Sequence, residues 1–224
     1  MNTMYPQPIT EDMYRFFWDI AFHNEQLYFE ENRKRYEMQV KAPLYELTEY
    51  LMPFALKMDD RFNQRTSSCV SRLRRDTRYT HDKTLYRDHA WIGFRLPGTY
   101  ISECFTAYIE FNRESYGYGM GMYAPNTEMM QNIRNRIMAR PVKFMDMVTK
   151  SEFAETFTLV GEKFKRMRQF QAPEQVQEYL NYRSLSFCFS SPDTKNTLRA
   201  DFCCEAQHAL EIMTPLYRFL TGLE

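Results

Sequence analysis

The chain has 224 residues, of which 29 are basic and 29 acidic, so its formal net charge is zero. Hydrophobic residues make up 44% of the chain and aromatic residues 16%, which excludes a wholly disordered protein. The balanced charge also argues against a protein whose whole surface grips nucleic acid or an anionic membrane, so any such binding must come from a local patch. We expect one domain over residues 1–224, with residues 1–9 as a loose N-terminal arm.

Cysteine usage and apolar runs indicate a reducing compartment and no membrane association. The five cysteines are an odd number, and none forms a Cys-x-x-Cys pair of the kind that holds metal. The start of the chain has neither a basic nor an apolar leader region, and no run approaches the roughly 18 apolar residues of a membrane span. We therefore expect a cytoplasmic protein, and we find no motif for a metal or a cofactor.

The first 60 residues predict three helices. Thr10 is a plausible N-cap for a first helix that continues through Ile20. Asn24 is a plausible N-cap for a second helical stretch over residues 25–58. We expect Pro43 to split that stretch, because proline lacks a backbone donor and is comfortable only in the first turn of a helix.

The middle of the chain predicts a sheet. A polar loop over residues 59–68 leads into a candidate strand at 69–73, and alternating or β-rich segments then follow. Residues 112–115 fit a hairpin turn between two of these strands. The better strand candidates are 90–96, 104–112 and 115–123.

The second half of the chain mixes helices with short strands. Candidate helices cover 126–138, 141–148, 173–180 and 198–220, and candidate strands cover 157–160 and 185–189. Helices followed by a sheet and then by mixed elements indicate an α+β fold rather than a doubly wound one. We predict N-terminal helices, a central and mainly antiparallel sheet, and further helices that include a long C-terminal one.

Charge is most concentrated in the arginine-rich block, residues 71–87. This block has only two carboxylates, Asp76 and Asp82, against six cations. Arginine forks and hydroxyls together suit recognition of a phosphate or carboxylate. The same residues also suit a structural clamp of partly buried ion pairs, and the residues alone leave both interpretations open. The six cations are Arg72, Arg74, Arg75, Arg78, Lys83 and Arg87.

Four separated segments carry motifs that recur in one known family: residues 24–36, 40–43, 71–86 and 159–166. They resemble the domain of unknown function 2461 family, whose biochemical activity is not established. The sequence differs from the usual family pattern at Leu85, where proline is common, at Arg87, where lysine is common, and at Tyr79–Thr80, where an aromatic residue precedes serine. The resemblance places these residues at signature positions: Asn32, Arg33, Tyr36, Arg72, Arg75, Asp76, Thr77, Arg78, Asp82, Lys83 and Tyr86.

The leading functional hypothesis is a site for a small anionic ligand that carries phosphate or carboxylate. The alternatives are a structural salt-bridge clamp in a protein–protein interaction module and a weak nucleic-acid binder. Nothing decides whether the protein is an enzyme, since His81 has no partner in a recognisable catalytic motif, and the oligomeric state stays open. The residues assigned to the anion are Arg72, Arg75, Arg78 and Lys83, with Asp76 and Asp82 to orient them and Tyr86 or Asn32 to line the site.

One other segment invites a ligand hypothesis. Three of the seven glycines of the chain alternate with large residues between positions 117 and 121. A strand face without side chains allows something to approach the backbone closely. That something is more often a packed ring or helix than a ligand, so packing is the preferred interpretation.

Overall fold

The computed structural model describes residues 6–78, 81–101 and 104–224 and shows an α+β fold, which confirms the predicted class. A π-helical segment, Glu37–Lys41, and a 3-10 helix, Thr194–Leu198, supplement the α-helices. None of the helices in the described ranges is long and apolar enough to cross a membrane. The α-helices are α1 (Glu11–Phe22), α2 (Gln26–Tyr36), α3 (Ala42–Met58), α4 (Thr66–Cys69), α5 (Thr127–Ala139), α6 (Pro141–Val148), α7 (Ser151–Thr156), α8 (Glu174–Leu180) and α9 (Phe202–Thr221).

The sheet has five antiparallel strands in the order β1-β2-β3-β5-β4, so β1 and β4 form its edges. One row of cross-strand neighbours, Ile92, Ile109, Tyr118 and Phe189, lies on the face that packs against the helices. Phe202 of α9 meets that face edge-on, with its ring centroid 5.5 Å from that of Tyr116. The strands are β1 (Ala90–Phe94), β2 (Thr106–Phe111), β3 (Tyr116–Gly121), β4 (Thr158–Val160) and β5 (Ser186–Ser191).

The glycines of β3 serve close packing within the sheet. A Cβ atom added to Gly117 would lie 2.5 Å from the carbonyl oxygen of Phe189 on β5. On the same face, the hydroxyl of Tyr108 reaches across Gly119 and donates to the sulfur of Cys188 over 3.0 Å. The rings and backbone of the protein itself therefore occupy the space that the glycines leave free.

The predicted break at Pro43 takes the form of a π-helical turn. The backbone stays right-handed helical at Tyr36 and at Lys41, so α2 runs through the π-helical segment into α3. Proline removes one donor and crowds the carbonyl a turn earlier, and a wider π turn accommodates both effects. Lys41 and Glu37 lie within this turn.

Two predicted N-caps and one predicted strand differ from the structure. Thr10 is at the N-cap position of α1 as predicted, but its hydroxyl donates to the side chain of Gln39 (2.8 Å) and accepts no hydrogen bond from the N–H groups of the first turn. The cap position of α2 belongs to Glu25, so the predicted cap at Asn24 is wrong. The predicted strand 69–73 is also wrong, because Cys69 closes α4 and only single bridges follow it.

The segment that replaces this strand covers the edge of β1. Val70 forms a bridge with Ile92. Ser71 donates its backbone N–H to the carbonyl of Trp91 (2.9 Å), and its hydroxyl accepts from the N–H of Trp91 (3.0 Å). The residues just before the arginine-rich block are thus fixed to the sheet.

Asp59, at the end of α3, is a fully buried carboxylate (0% exposed) whose bonds predict a pH-dependent stability. It accepts from Nε and Nη2 of Arg61 at 2.8 Å each and from the hydroxyl of Tyr217 at 3.3 Å. Burial raises the pKa of Asp59, but the hydrogen bonds from Arg61 outweigh burial and leave it below the ordinary value of 3.8. A lowered folded-state pKa stabilises the protein above about pH 4, and this contribution is lost as the pH falls through the folded value.

Replacing Asp59 with asparagine is expected to cost about 1 to 2 kcal/mol at pH 7, because hydrogen bonds to a charged group are lost while Arg61 remains half-exposed to water. The difference between wild type and variant should shrink below pH 4. Urea unfolding at pH 7 and at pH 3 measures it. A difference that is independent of pH would contradict this role of the carboxylate.

Candidate functional site

The arginine-rich block folds as a hairpin with a base and a tip. At the base, the N–H of Arg75 donates to the carbonyl of Leu85 (2.8 Å) and the N–H of Arg87 donates to the carbonyl of Leu73 (2.9 Å). The tip is residues 76–84. Within it, Tyr79 and Thr80, which differ from the usual family pattern, lie outside the described residues. The base and the tip use their charges differently.

At the tip, charges are paired locally. Arg78 reaches both carboxylate oxygens of Asp76 (2.9 and 2.7 Å), and these bonds lower the pKa of Asp76 to about 2. The ammonium of Lys83 donates to the carbonyl of Thr77 (2.8 Å). These side chains hold the turn together in a largely exposed setting.

Asp82 connects the tip to the base. Its carboxylate accepts from the backbone and the hydroxyl of Thr84 and from the guanidinium of Arg75, and these bonds, led by that to the Thr84 N–H, lower its pKa. Arg75 also donates to the hydroxyl of Thr84 (2.9 Å). Of the cations predicted to hold an anion, Arg75 therefore has an internal carboxylate partner, and so does Arg78.

At the base, the arginines other than Arg75 lack such partners. Arg72 and Arg74 are exposed, and neither has a carboxylate partner among the described residues. Arg87 donates to the carbonyls of Arg72 (2.6 Å) and Arg74 (3.2 Å), and its guanidinium lies 5.1 Å from the ring centroid of Trp91. Burial lowers the pKa of Arg87, and the nearby positive charge of Arg75 lowers it further. The base is therefore an uncompensated cluster of positive charge.

A groove of about 730 Å³, here called the tryptophan groove, opens on one side of this base. Trp91 and Gly93 of β1 form its floor, and Tyr100 and Ile101 form the side opposite the hairpin base. It is lined by Ser67, Ser68, Cys69, Val70, Ser71, Arg72, Arg74, Arg75, Asp76, Arg87, Trp91, Gly93, Arg95, Tyr100 and Ile101.

A second groove of about 490 Å³, here called the tyrosine groove, lies on the side that faces α2 and the π-helical segment. Residues 67–74, called the ridge below, separate the two grooves and supply side chains to both. The tyrosine groove is lined by Phe29, Arg33, Tyr36, Glu37, Lys41, Tyr45, Arg65, Ser67, Ser68, Val70, Ser71, Arg72, Leu73 and Arg74.

Positive charge dominates both grooves. The only carboxylates that line them in the described part of the chain are Glu37 and Asp76, and Asp76 is paired with Arg78. Two lining cations have carboxylate partners, Arg33 with Glu30 and Arg75 with Asp82. Six have none within the described residues: Lys41, Arg65, Arg72, Arg74, Arg87 and Arg95.

Gly93 leaves a notch in the floor of the tryptophan groove. A Cβ atom added there would lie 3.6 Å from both Thr106 Cγ2 and Trp91 Cδ1, which are ordinary contacts. The fold therefore does not require glycine at this position, unlike at Gly117. The indole Nε1 of Trp91 would lie 3.9 Å from that added atom, so a hydrogen-bond donor borders the notch. A glycine that the packing does not demand fits a close approach of a ligand to the strand.

The hairpin is fixed to the N-terminal helices through Asn24 and Tyr86. The side chain of Asn24 accepts from the N–H of Tyr86 and donates to its carbonyl, at 2.9 Å each. The ring of Tyr86 is buried and stacks on Phe29 at 4.6 Å. Tyr86, which the sequence assigned to the ligand, thus lies beneath the site as an anchor.

The other predicted site residues divide between the tyrosine groove and its surroundings. Arg33 and Tyr36 line the groove, and burial raises the pKa of Tyr36 to about 12. Asn32 donates to the carbonyl of Tyr28 (3.0 Å) and lines neither groove. The predicted residues that line a groove are Arg33, Tyr36, Arg72, Arg75 and Asp76, whereas Asn32, Thr77, Arg78, Asp82, Lys83 and Tyr86 line neither.

Sequence reasoning missed several groove residues. Arg74 and Arg87 belong to the block but were not assigned to the site. Arg95 has a readable signal, because positions 87, 91, 93 and 95 alternate on one face along β1 and its extensions. Arg65 and Lys41 have no such signal, since they reach the groove only through the packing of the loop before α4 and of the π-helical segment.

Cys69, which lines the tryptophan groove in the described part of the chain, is not an activated thiol. Burial raises the pKa of Cys69 to about 11, and its thiol donates to the carbonyl of Asn63 over 3.2 Å. Among the residues that the structure describes, no group of three or more His, Cys, Asp or Glu lies where it could hold a metal ion. The guanidinium, ammonium, hydroxyl and indole donors that line the two grooves can bind negative charge.

The sequence matches the family DUF2461, described as a conserved hypothetical protein, over residues 12–219. The chain belongs to the DUF2461 family. No significant match was found among curated proteins or among solved structures. The DUF2461 match spans the hairpin, the ridge and every residue that lines the two grooves.

Proposed function

We propose that this DUF2461 protein is a cytoplasmic protein that binds a small anionic ligand, carrying phosphate or carboxylate, in the tryptophan groove. Arg72, Arg74 and Arg95 hold the anion there, and Arg87 adds positive charge from the floor. The observation that supports this proposal is the group of lining cations without carboxylate partners. The paired charges at the tip shape the hairpin and do not hold the ligand.

The energetic argument rests on uncompensated charge. Like charges that line one groove without counter-charges repel each other. A bound oxyanion removes this repulsion and accepts charge-assisted hydrogen bonds from planar guanidinium forks. A groove built with arginine, serine hydroxyls and an indole donor therefore gains more from an anion than from a neutral ligand.

The structural-clamp alternative is supported at the tip. There the pairs of Arg78 with Asp76 and of Arg75 with Asp82 fix a turn, as a clamp requires. The clamp accounts for the tip but not for the unpaired arginines of the ridge. Both roles therefore fit one hairpin, with the clamp at the tip and the anion at the base.

Binding of phosphate-bearing anions tests the proposal. A ligand present at 100 times its dissociation constant is expected to add roughly 2.7 kcal/mol of stability. Thermal unfolding is measured with inorganic phosphate, phosphate monoesters and di- and tricarboxylates, each against sodium chloride of the same ionic strength. We expect stabilisation that chloride does not reproduce. If none of these anions raises the melting temperature above the chloride control, the proposal is wrong.

A further inference from the structure

The two grooves flank one short ridge, and this arrangement bears on the length of the ligand. Arg72 and Arg74, together with the three serines of the ridge, line both grooves. Positive charge continues from Arg95 in the tryptophan groove, over the ridge, to Lys41 and Arg65 in the tyrosine groove. The site is a continuous cationic track rather than a single pocket.

A single small anion cannot compensate this track. A phosphate held by Arg72 and Arg95 leaves Lys41 and Arg65 without a counter-charge on the other side of the ridge. The volumes of about 730 and 490 Å³ also exceed what one phosphoryl group fills. A ligand with several linked anionic groups matches both the extent and the charge of the track.

Three of the aromatic rings that line the grooves, those of Phe29, Tyr45 and Trp91, already have cations or rings on their faces. Arg33 lies 5.1 Å from the centroid of Phe29, and Lys41 lies 5.6 Å from that of Tyr45. Trp91 has Arg87 at 5.1 Å and the stacked ring of His89 at 5.6 Å. Single-stranded nucleic acid gains much of its affinity from bases that stack on free rings. The occupied faces therefore favour a chain of anions without bases.

We propose that the ligand is a linear polyphosphate chain that crosses the ridge at Arg72 and Arg74 and occupies both grooves. This inference rests on the proposed function, because its first phosphoryl group uses the same anion site in the tryptophan groove. The serine hydroxyls of the ridge donate to bridging or terminal oxygens where the chain crosses. The notch at Gly93 lets the chain lie close to the strand.

Calorimetric titration of two alanine variants tests the inference. Arg95 lines only the tryptophan groove and Lys41 only the tyrosine groove. Arg95→Ala is expected to weaken the binding of both orthophosphate and a long-chain polyphosphate about 10-fold, the loss typical of one charged hydrogen-bonding partner. Lys41→Ala is expected to weaken only the long chain, by a similar factor. Arg166→Ala, which removes an exposed arginine outside both grooves, is the matched control and should change neither.

The outcomes separate this inference from the function on which it rests. If neither orthophosphate nor any of the phosphate monoesters and carboxylates binds the wild-type protein, the anion site itself is refuted. If carboxylates bind but orthophosphate and polyphosphate do not, the anion site stands and the polyphosphate inference is refuted. If orthophosphate binds but Lys41→Ala leaves long-chain affinity unchanged, the anion site stands and the track is refuted. Two further ligands are titrated, inositol hexakisphosphate and an oligothymidylate of matched charge. Tighter binding of inositol hexakisphosphate than of the linear polyphosphate would indicate a compact ligand. Tighter binding of the oligothymidylate would indicate nucleic acid, and either result overturns the proposal.

Discussion

The double substitution Arg72→Glu and Arg74→Glu is expected to leave a folded protein that no longer binds phosphate-bearing anions. Each lost arginine removes hydrogen bonds to a charged group, about 1.5 to 3 kcal/mol, and each glutamate adds repulsion. The affinity should therefore fall by at least about 100-fold. Both side chains are exposed, so the free energy of unfolding should change by less than about 0.5 kcal/mol. Calorimetric titration with phosphate and chemical denaturation measure the two effects.

The backbone supports this separation of binding from stability. Arg87 donates to the carbonyl oxygens of the two arginines and not to their side chains, so this link survives the substitutions. Arg166→Glu reverses one charge at an exposed position outside the grooves and serves as a control for charge reversal, with half the change in net charge. If the double variant unfolds while the control remains folded, the base of the hairpin is a structural clamp. Unchanged phosphate affinity would instead contradict the site.

Filling the notch is expected to block binding by shape alone, without a change of charge. The methyl group of Gly93→Ala would make ordinary van der Waals contacts and no clash. In a strand, alanine is also intrinsically more favourable than glycine. The fold should thus keep or slightly gain stability. A ligand that lies on the strand must shift, at a cost of about 1 to 3 kcal/mol, which corresponds to about 5- to 150-fold in affinity. Gly93→Val should lower the affinity further.

Gly117 supplies the contrasting variant. A methyl group there would lie 2.5 Å from a backbone carbonyl, so Gly117→Ala should destabilise the protein by about 1 to 3 kcal/mol. Melting temperatures and phosphate titrations of the two alanine variants show opposite patterns if the glycines differ as inferred. Full phosphate affinity of Gly93→Val would exclude a ligand in the notch.

Local patterns predicted much of the fold. The hairpin between β2 and β3 turns at residues 112–115, as its alternation predicts, with the N–H of Asn112 donating to the carbonyl of Ser115. The long helix α9 follows its apolar periodicity from Phe202. The short helix α4 was not predicted, because four residues are too few to show a helical pattern of apolar residues. Its form depends on the strand edge beside it. Pro43 predicts a break in the helix, but it does not specify that the break takes the form of a π-helical turn.

The candidate site was only half predictable for a similar reason. The sequence identified the hairpin as the candidate site, because a dense run of cations can be read directly from the order of the residues. Which cation meets a carboxylate depends on short-range turn geometry: Arg78 pairs with Asp76 two residues away, whereas Arg74 has no carboxylate partner among the described residues. Arg65 and Lys41 join the tyrosine groove through contacts between distant segments, which no local pattern encodes.

The ridge has a further consequence, which concerns solubility. β1 is an edge strand, and an uncovered edge offers its backbone to other chains as a template for pairing. The contacts of Val70 and Ser71 with Ile92 and Trp91 occupy that edge, while the arginines beside them repel a second copy. The ridge thus also protects the edge of β1 from pairing with other chains. Deleting the ridge would therefore expose an aggregation-prone strand edge as well as remove the site.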